Sequence, residues 1–346
     1  MTKKLFLILF FQFGIIFSLP RFSIVDGTSC NSCHINPSGG GMRTNYGVKF
    51  GREDIISNLQ NDFELEDFST KINEVLSFGS DFRTIFVSNQ NLDGGNLFQM
   101  QGDLYFNFKF AKNFNLYVDK GLRDGYETFL NSNFQNINFK LGHFLPNYGL
   151  KIDDHTTFIR RETEFSPVYR NENDGVEFML SPISNLNFYF GIYGKNFSEE
   201  IISENKFNSY LEKVEYVSEI SDVSNIYIGG NHFKKNQKEF YGGFLGFTIQ
   251  NGVIFTEFDW IKENENAYKN FISYTELDYT VLNGVDLKIA FDYFKKYSNK
   301  NPNVRYTFGF EIFPIQGIEL RPLFRINKNE NLKITNEIHF LVHIYI

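Results

Sequence analysis

Hydrophobic and polar residues alternate with a period of two along most of the chain, from about residue 74 onward. Over residues 334–346, apolar side chains occupy every second position except Asn336, and most positions between them are polar. Residues 304–312 repeat this alternation, and so do residues 98–110, where Phe98, Met100 and Leu104 share the apolar parity. Since successive side chains of a β-strand point to opposite faces, the pattern predicts strands with one apolar and one polar face.

Turn signals separate these alternating segments, and two kinds of connection follow each other along the chain. Short turns are predicted at residues 111–113, 131–133, 182–185, 221–225, 251–252, 283–284 and 314–317. Longer polar connections are predicted at residues 89–96, 121–125, 146–174, 196–208, 234–238, 262–270, 298–303 and 327–331. Short turns at one rim and long loops at the other are typical of outer-membrane barrels. We therefore predict an all-β, antiparallel transmembrane barrel of about 16 strands, with 14 as the alternative.

The polar parity of these strands distinguishes a membrane barrel from a soluble β-sandwich. It carries charged residues such as Glu257, Asp259 and Arg321, which suit a watery lumen better than a packed core. The opposite parity is almost wholly apolar, as a wall in contact with lipid requires. Only the first twenty or so residues are continuously apolar, so a polytopic helical membrane protein is excluded. The net charge of -7 gives no reason to expect nucleic acid as a partner.

The N-terminus has the three parts of a secretory signal peptide. Lys3 and Lys4 precede an apolar run over residues 5–17, and Ser18 offers a small residue for cleavage. An uncleaved membrane anchor is the alternative, although the run is short for a spanning helix. We predict a signal peptide over residues 1–18, an N-terminal plug over 19–73 and a barrel over 74–346. A signal peptide together with such a barrel predicts a protein of the bacterial outer membrane.

The two cysteines of the chain form a CxxCH motif. Cys30 and Cys33 are spaced to bond the two vinyl groups of one haem, and His34 follows to bind the iron from below. A redox dithiol, a zinc half-site and a local disulfide are the alternatives, and the surrounding sequence favours none of them. The motif predicts one covalently bound haem c.

The residues after the motif are rich in glycine. Glycines at 39–41 would let the backbone lie against the porphyrin face. We expect Arg43 to pair with a haem propionate and Tyr46 to stack on the ring edge. A flexible linker is the alternative for this stretch.

A signal peptide, one CxxCH followed by Pro-x-Gly-Gly-Gly and a C-terminal barrel together resemble the fused monohaem cytochrome–porins of the bacterial outer membrane, some of which are iron oxidases. The specific part of the resemblance is Cys30, Cys33, His34 and the glycines at 39–41. It implies a cytochrome lodged in the lumen and electrons that cross the outer membrane. The chain is shorter than a typical iron oxidase of this kind, so the resemblance leaves the substrate open.

The sixth ligand of the haem iron is an open question, because a low-spin electron carrier needs a second Met or His. We rank His155 first, because it lies in the long connection over residues 146–174. His143, Met179 and Met42 follow in that order. The charged residues around His155, which are Asp153, Asp154, Arg160 and Arg161, would orient its ring or hold the propionates.

Three functional hypotheses follow from these features. The first is a conduit that moves single electrons between an extracellular donor or acceptor, such as Fe(II), and a periplasmic cytochrome. The second is a non-redox porin with a haem plug or sensor, and the third is a haem enzyme with an open sixth position. Inward acids would concentrate a cation or simply solvate the lumen. The acids are Glu257, Asp259, Asp286, Asp292, Glu319 and Glu337.

Overall fold

The computed structural model describes residues 20–38, 40–53, 55–56, 70–90, 94–122, 125–165, 172–194, 209–221, 223–235, 237–263 and 269–346. Within these ranges, 16 antiparallel strands form a closed barrel in which each strand pairs with its sequence neighbours and β1 pairs with β16. The strands are β1 (Leu76–Asn89), β2 (Gly95–Ala111), β3 (Phe114–Gly121), β4 (Tyr126–Phe134), β5 (Ile137–Phe144), β6 (Asn173–Ile183), β7 (Leu186–Tyr193), β8 (Ser209–Ser221), β9 (Ser224–Lys235), β10 (Lys238–Ile249), β11 (Gly252–Glu263), β12 (Lys269–Leu282), β13 (Val285–Lys295), β14 (Asn303–Ile315), β15 (Ile318–Lys328) and β16 (Ile334–Tyr345). The predicted fold class and the count of 16 strands are confirmed.

The two faces of the barrel wall differ as the alternation predicts. In β16, Ile338 and Phe340 are 55% and 40% exposed, whereas His339 and Leu341, which alternate with them, are 6% and 5% exposed. The exposed apolar side chains continue around the barrel on most strands. A closed barrel with an apolar exterior satisfies its backbone internally and presents that exterior to lipid. The chain is therefore a barrel of the bacterial outer membrane that contacts membrane lipid.

The connections define two rims, which we name the short-turn rim and the long-loop rim. The short-turn rim holds the seven tight connections from β2–β3 to β14–β15, and the long-loop rim holds the eight others. One turn lies elsewhere than predicted. Asn131 and Asn133 belong to β4, and the turn follows at Gln135, whose φ is 52°. The asparagines resemble turn residues in sequence because they are polar side chains of the barrel wall rather than part of an apolar run.

A β-bulge in β2 corrects a second prediction. The pairing of β1 with β2 skips Met100, because Gln99 and Gln101 pair with consecutive residues of β1. An extra residue inverts the alternation beyond it. Phe98 consequently pairs with the inward Ile85, and Met100 lines an internal cavity with that isoleucine. The assignment of Phe98 and Met100 to the lipid-facing side was wrong.

Two segments occupy the barrel interior. The N-terminal plug contains α1 (Pro20–Asp26), α2 (Cys30–Cys33) and α3 (Asn45–Glu53). The connection between β5 and β6 enters from the long-loop rim and carries α4 (Phe158–Thr163); we call residues 145–165 the inward loop. None of the described helices has the length and apolar character needed to cross a membrane. The predicted signal peptide lies outside the described residues.

An arginine in α1 fixes the plug to the wall. The buried Arg21 guanidinium forms ion pairs with Asp278 at 3.0 Å, Asp286 at 3.1 Å and Glu311 at 2.7 Å. Burial alone would lower the pKa of Arg21, but these carboxylates outweigh it and raise the pKa above its ordinary value. Since these acids lie on β12, β13 and β14 near the short turns, α1 is held at the short-turn rim.

Candidate haem-binding site

The CxxCH motif lies inside the barrel as one helical turn. The backbone N–H of His34 donates to the carbonyl of Cys30 at 3.1 Å and closes the turn. Cys30 and Cys33 are not joined by a disulfide, and Cys33 is buried. Burial, followed by the nearby Glu215 carboxylate, raises the pKa of the Cys30 thiol to about 11. A protonated thiol does not suit a reactive redox dithiol, which works as a thiolate.

The ring of His34 is oriented by the backbone that follows it. Nδ1 lies 3.3 Å from the carbonyl oxygen of Gly41. A carbonyl only accepts, so Nδ1 carries the proton and Nε2 has a free lone pair. Burial, and then the charge of Arg43, lowers the pKa of His34 to about 4. The imidazole is thus neutral near pH 7, as binding to iron requires.

A small hairpin places that carbonyl beside His34. His34 and Arg43 form an antiparallel bridge, and the N–H of Ile35 donates to the carbonyl of Met42 at 3.0 Å. Gly41 has a φ of 65°, and a Cβ there would lie 2.2 Å from the hydroxyl oxygen of Tyr117. This hydroxyl accepts from the N–H of Met42 at 3.2 Å. The described part of this stretch is therefore an ordered hairpin and not a flexible linker.

The two residues expected to contact haem have other partners in the structure. The Arg43 guanidinium lies 4.1 Å from the centre of the Tyr345 ring, and the Tyr46 hydroxyl donates to Asp26 at 2.9 Å. Neither residue lines the cavities beside the motif.

Three cavities flank the hairpin, and the smallest of them, of about 10 Å³, contains Cys30. The short-rim cavity, of about 250 Å³, contains His34 and reaches the β2–β3 turn at Lys112. The long-rim cavity, of about 130 Å³, touches Gly41 and extends along the inner wall to Gly125, in the β3–β4 connection. The motif therefore lies between openings toward opposite rims.

His155 lies in the long-rim cavity and not in the cavity of His34. Its Nε2 is 3.0 Å from the side-chain oxygen of Gln101 and 3.4 Å from the Arg83 guanidinium. Burial, and then the Arg83 charge, lowers the pKa of His155 to about 3, so the ring is neutral. A proton on Nε2 donates to Gln101, and ligation of iron through this atom would require that bond to break.

His143 belongs to the outward face of the wall. It pairs with Thr128 in β4, and the neighbouring Phe129 points inward and is buried. Its Nδ1 lies 2.9 Å from the Asp174 carboxylate, and its ring stacks on Tyr126 with centroids 4.6 Å apart. A side chain on this face has no access to a haem in the lumen.

The two methionine candidates are both buried near the motif. The amide of Asn31, within CxxCH, donates to the Met179 sulfur at 3.6 Å. Met42 is 1% exposed and packs into the apolar core of the barrel. Met179 thus has a hydrogen bond to the motif itself.

Asp153 and Asp154, beside His155, hold the inward loop against the barrel wall. Asp153 pairs with Arg83 at 2.6 Å and also with Arg321, and Asp154 pairs with Arg325. Burial alone would raise the pKa of both carboxyls, but the arginines outweigh it and hold each pKa well below its usual range. These pairs fix the loop to β1 and β15.

The inward acids also have protein partners. Glu257 accepts from the N–H of Leu150 at 3.0 Å, and Asp292 accepts from the N–H of Phe158 at 3.1 Å. The other predicted acids contact Tyr148 (Asp259), Arg21 (Asp286), Arg321 and His343 (Glu319) and His339 (Glu337). In the described part of the chain, no group of three His, Cys, Asp or Glu is arranged to hold a metal ion. Four of these acids thus contact the plug or the inward loop, whereas Glu319 and Glu337 pair within the barrel wall. Neither sequence hypothesis included this anchoring.

Several residues of the site were not predicted from the sequence. Tyr117, which seats the hairpin, looks like any inward aromatic residue of a strand. The polar lining of the short-rim cavity can be recognised in the sequence, because asparagines and lysines recur at inward positions near the short turns. These residues are Asn107, Lys109, Lys112, Asn115, Asn131, Asn133 and Asn138.

Solved structures of outer-membrane proteins are similar to this chain in fold. Outer-membrane-expressed OmpT of Vibrio cholerae has a TM-score of 0.57 and 12% sequence identity, over 81% of this chain and 100% of its own. A loop L8 deletion mutant of the same protein has a TM-score of 0.56 and 12% identity, over 78% of this chain and 99% of its own. No protein-family model and no curated protein matches the chain. The likeness thus concerns a porin-like barrel fold.

Proposed function

We propose that this protein is an outer-membrane cytochrome–porin that moves single electrons between an extracellular donor or acceptor and a periplasmic redox protein. One observation carries the proposal: CxxCH lies inside a closed barrel, between cavities that reach opposite rims. A barrel wall must cross a hydrocarbon core of about 30 Å, so an interior site is separated from both compartments. Partners would approach it from the two rims.

The donor set of the motif suits c-type haem. Cys30 and Cys33 would hold the group covalently, and His34 would bind the iron through Nε2. Gly41 fixes the ring of His34 through its carbonyl, and the hairpin is fixed in turn by Tyr117. A haem held here would supply one-electron exchange at its iron.

The barrel and plug determine which partners have access. The inward loop and the plug fill much of the lumen, so a small donor such as Fe(II) suits the long-loop rim better than a protein does. A periplasmic cytochrome would dock at the short-turn rim, close to the cavity of His34. The Fe(II) substrate and the periplasmic partner both belong to the proposal.

A second candidate is a haem protein with an open sixth position, which would act as a sensor or an enzyme. It is favoured by one observation: among the described residues lining the short-rim cavity, His34 is the sole His or Met. A small molecule would then occupy the second axial position. The spin state of the iron distinguishes this candidate from the electron conduit.

The test is a visible spectrum and a redox titration of the purified full-length protein, with Fe(II) as the reductant. The conduit predicts a sharp low-spin α band on reduction and a reversible one-electron transition. A high-spin spectrum that changes with added small ligands supports the second candidate instead.

The matched control is the double variant Cys30→Ala/Cys33→Ala. It should form the barrel but carry no covalent haem, because both thioether bonds need these thiols. A haem-stained band that survives denaturing electrophoresis in this variant would contradict the assignment of the site. Absence of haem from the unmodified protein would overturn both candidate functions.

A further inference from the structure

We propose that Lys109 and Lys112 bind the two haem propionates, so that the propionate edge faces the short-turn rim. This inference rests on the proposed function and adds an orientation to it. Lys109 lies near the end of β2, and Lys112 lies in the turn between β2 and β3. Both line the cavity that contains His34.

The charge of the short-rim cavity differs from that of the rest of the interior. The chain has a net charge of -7, and most strands carry Asp or Glu side chains that face the barrel interior. Among the described residues lining the short-rim cavity there are two lysines and no Asp or Glu. The exposed Glu74 carboxylate is not part of this lining; it pairs with Lys71 at 2.8 Å and also interacts with the charge of Lys109. Within the described lining itself, a doubly anionic edge would therefore meet two cations and no carboxylate.

The remaining polar lining suits carboxylates as well. Six asparagines line the same cavity: Asn31, Asn107, Asn115, Asn131, Asn133 and Asn138. Their amide N–H groups can donate to carboxylate oxygens that the lysines leave unsatisfied. Asn115 and Asn107 already form one hydrogen bond with each other at 2.6 Å, which orders this wall of the cavity.

This arrangement replaces Arg43 as the predicted partner of the propionates. The Arg43 guanidinium stacks on Tyr345 at the end of β16, and Arg43 does not line the short-rim cavity. An ammonium is a compact point charge that pairs with carboxylate without the fixed geometry of a guanidinium. Two lysines near a rim thus hold propionates while leaving them in contact with water.

The consequence is an electrostatic effect on the iron. The ferric haem has one more positive charge than the ferrous haem, so a nearby cation favours the reduced form. Nearby net charge is one of the means by which a protein sets the reduction potential of a haem. Removing the two lysines should therefore lower the potential while the thioether bonds remain.

The experiment measures the reduction potential of the purified full-length protein by spectroelectrochemical titration. In Lys109→Gln/Lys112→Gln, we expect the equilibrium constant for reduction to fall about tenfold, which is roughly 59 mV for one electron. Each single variant should show a smaller fall, and Lys109→Arg/Lys112→Arg should restore the potential. Covalent haem content should match the unmodified protein in every case.

Lys120→Gln is the matched control, because Lys120 lies at the opposite end of β3, where it donates to the carbonyl of Gly125. Its potential should equal that of the unmodified protein. An unchanged potential in the double variant, with haem attached, would overturn the inference and leave the proposed function intact. Lack of haem in the unmodified protein would overturn both.

Discussion

A close backbone contact holds the CxxCH motif against the helix that follows it. Gly47 in α3 packs so tightly on α2 that a Cβ there would lie 2.2 Å from the carbonyl oxygen of Cys33. This carbonyl accepts from the N–H of Thr44 at 2.9 Å, and Thr44 in turn accepts from the N–H of Gly47. The contact ties α3 to the turn that carries both cysteines.

Gly47→Ala should therefore destabilise the plug. Since the clash is with backbone, it cannot be relieved by a rotamer change, and overpacking of this kind costs roughly 1–3 kcal/mol. We expect a lower yield of covalently attached haem and a lower midpoint of thermal unfolding. The yield is read from haem absorbance per protein in purified samples.

Gly51→Ala is the control in the same helix. A Cβ at Gly51 meets nothing within 4 Å, and Ala is favoured over Gly in a helix by roughly 0.5–1 kcal/mol. This variant should retain haem and be at least as stable as the unmodified protein. Equal loss in both variants would show that helix composition, and not the contact with Cys33, is responsible.

Among the elements, the inward loop is held by side chains from many strands. Asp153 and Asp154 pair with arginines of β1 and β15, while Lys213 of β8 donates to the carbonyl of Gly149 at 2.9 Å. Within the loop, Arg160 donates to the carbonyl of Ile152 at 3.0 Å. Such contacts fix a loop that would otherwise be solvated at the rim.

Asp153→Asn/Asp154→Asn should release the inward loop. Removing one partner of a buried ion pair leaves an uncompensated charge and costs roughly 3–5 kcal/mol. We expect trypsin to cleave after Arg160 or Arg161 in the folded barrel of the variant but not in the unmodified protein. Mass spectrometry of the fragments identifies the site of cleavage.

Glu162→Gln is the control, because this carboxylate pairs with the adjacent Arg161 at 2.7 Å rather than with the wall. It should leave the loop resistant to trypsin. The depressed pKa values of Asp153 and Asp154 add a pH dependence. Their stabilisation is present above the ordinary Asp pKa of about 3.9 and is lost only as the pH falls through the lower, folded values. Cleavage of the control at neutral pH would argue against anchoring by these pairs.

The elements also show what could be predicted from the sequence. Alternation gave 16 strands because a lipid-facing wall requires a strict period of two. It failed at Met100, where a bulge inserts one residue without any change in composition, and at Asn131, where an inward amide resembles a turn. The CxxCH spacing predicts Cys30, Cys33 and His34 as the residues that hold haem, since haem attachment depends on local spacing, and this stays a prediction. The relation of His155 to that motif depends on the path of a long loop, which no local pattern encodes.

At the scale of the whole molecule, function depends on the direction of the two rims. Short turns of outer-membrane barrels face the periplasm and long loops face the outside. The plug, the cavity of His34 and the two lysines all lie toward the short-turn rim. If this rim is periplasmic, an exported chain threads its N-terminus into the barrel from the side where c-type haem is attached, and a periplasmic redox protein has the shortest approach to the site.

The two ends of β13 test this orientation, because Asn283 precedes the strand at the short-turn rim and Ser298 follows it at the long-loop rim. Single cysteines are introduced as Asn283→Cys and Ser298→Cys and treated on intact cells with a membrane-impermeant maleimide. We expect Ser298→Cys to react on intact cells and Asn283→Cys to react only after permeabilisation. The unmodified protein, whose thiols are inside the barrel, should remain unlabelled. Labelling of Asn283→Cys alone on intact cells would reverse the barrel and place the propionate rim outside, so that the proposed periplasmic docking would fail.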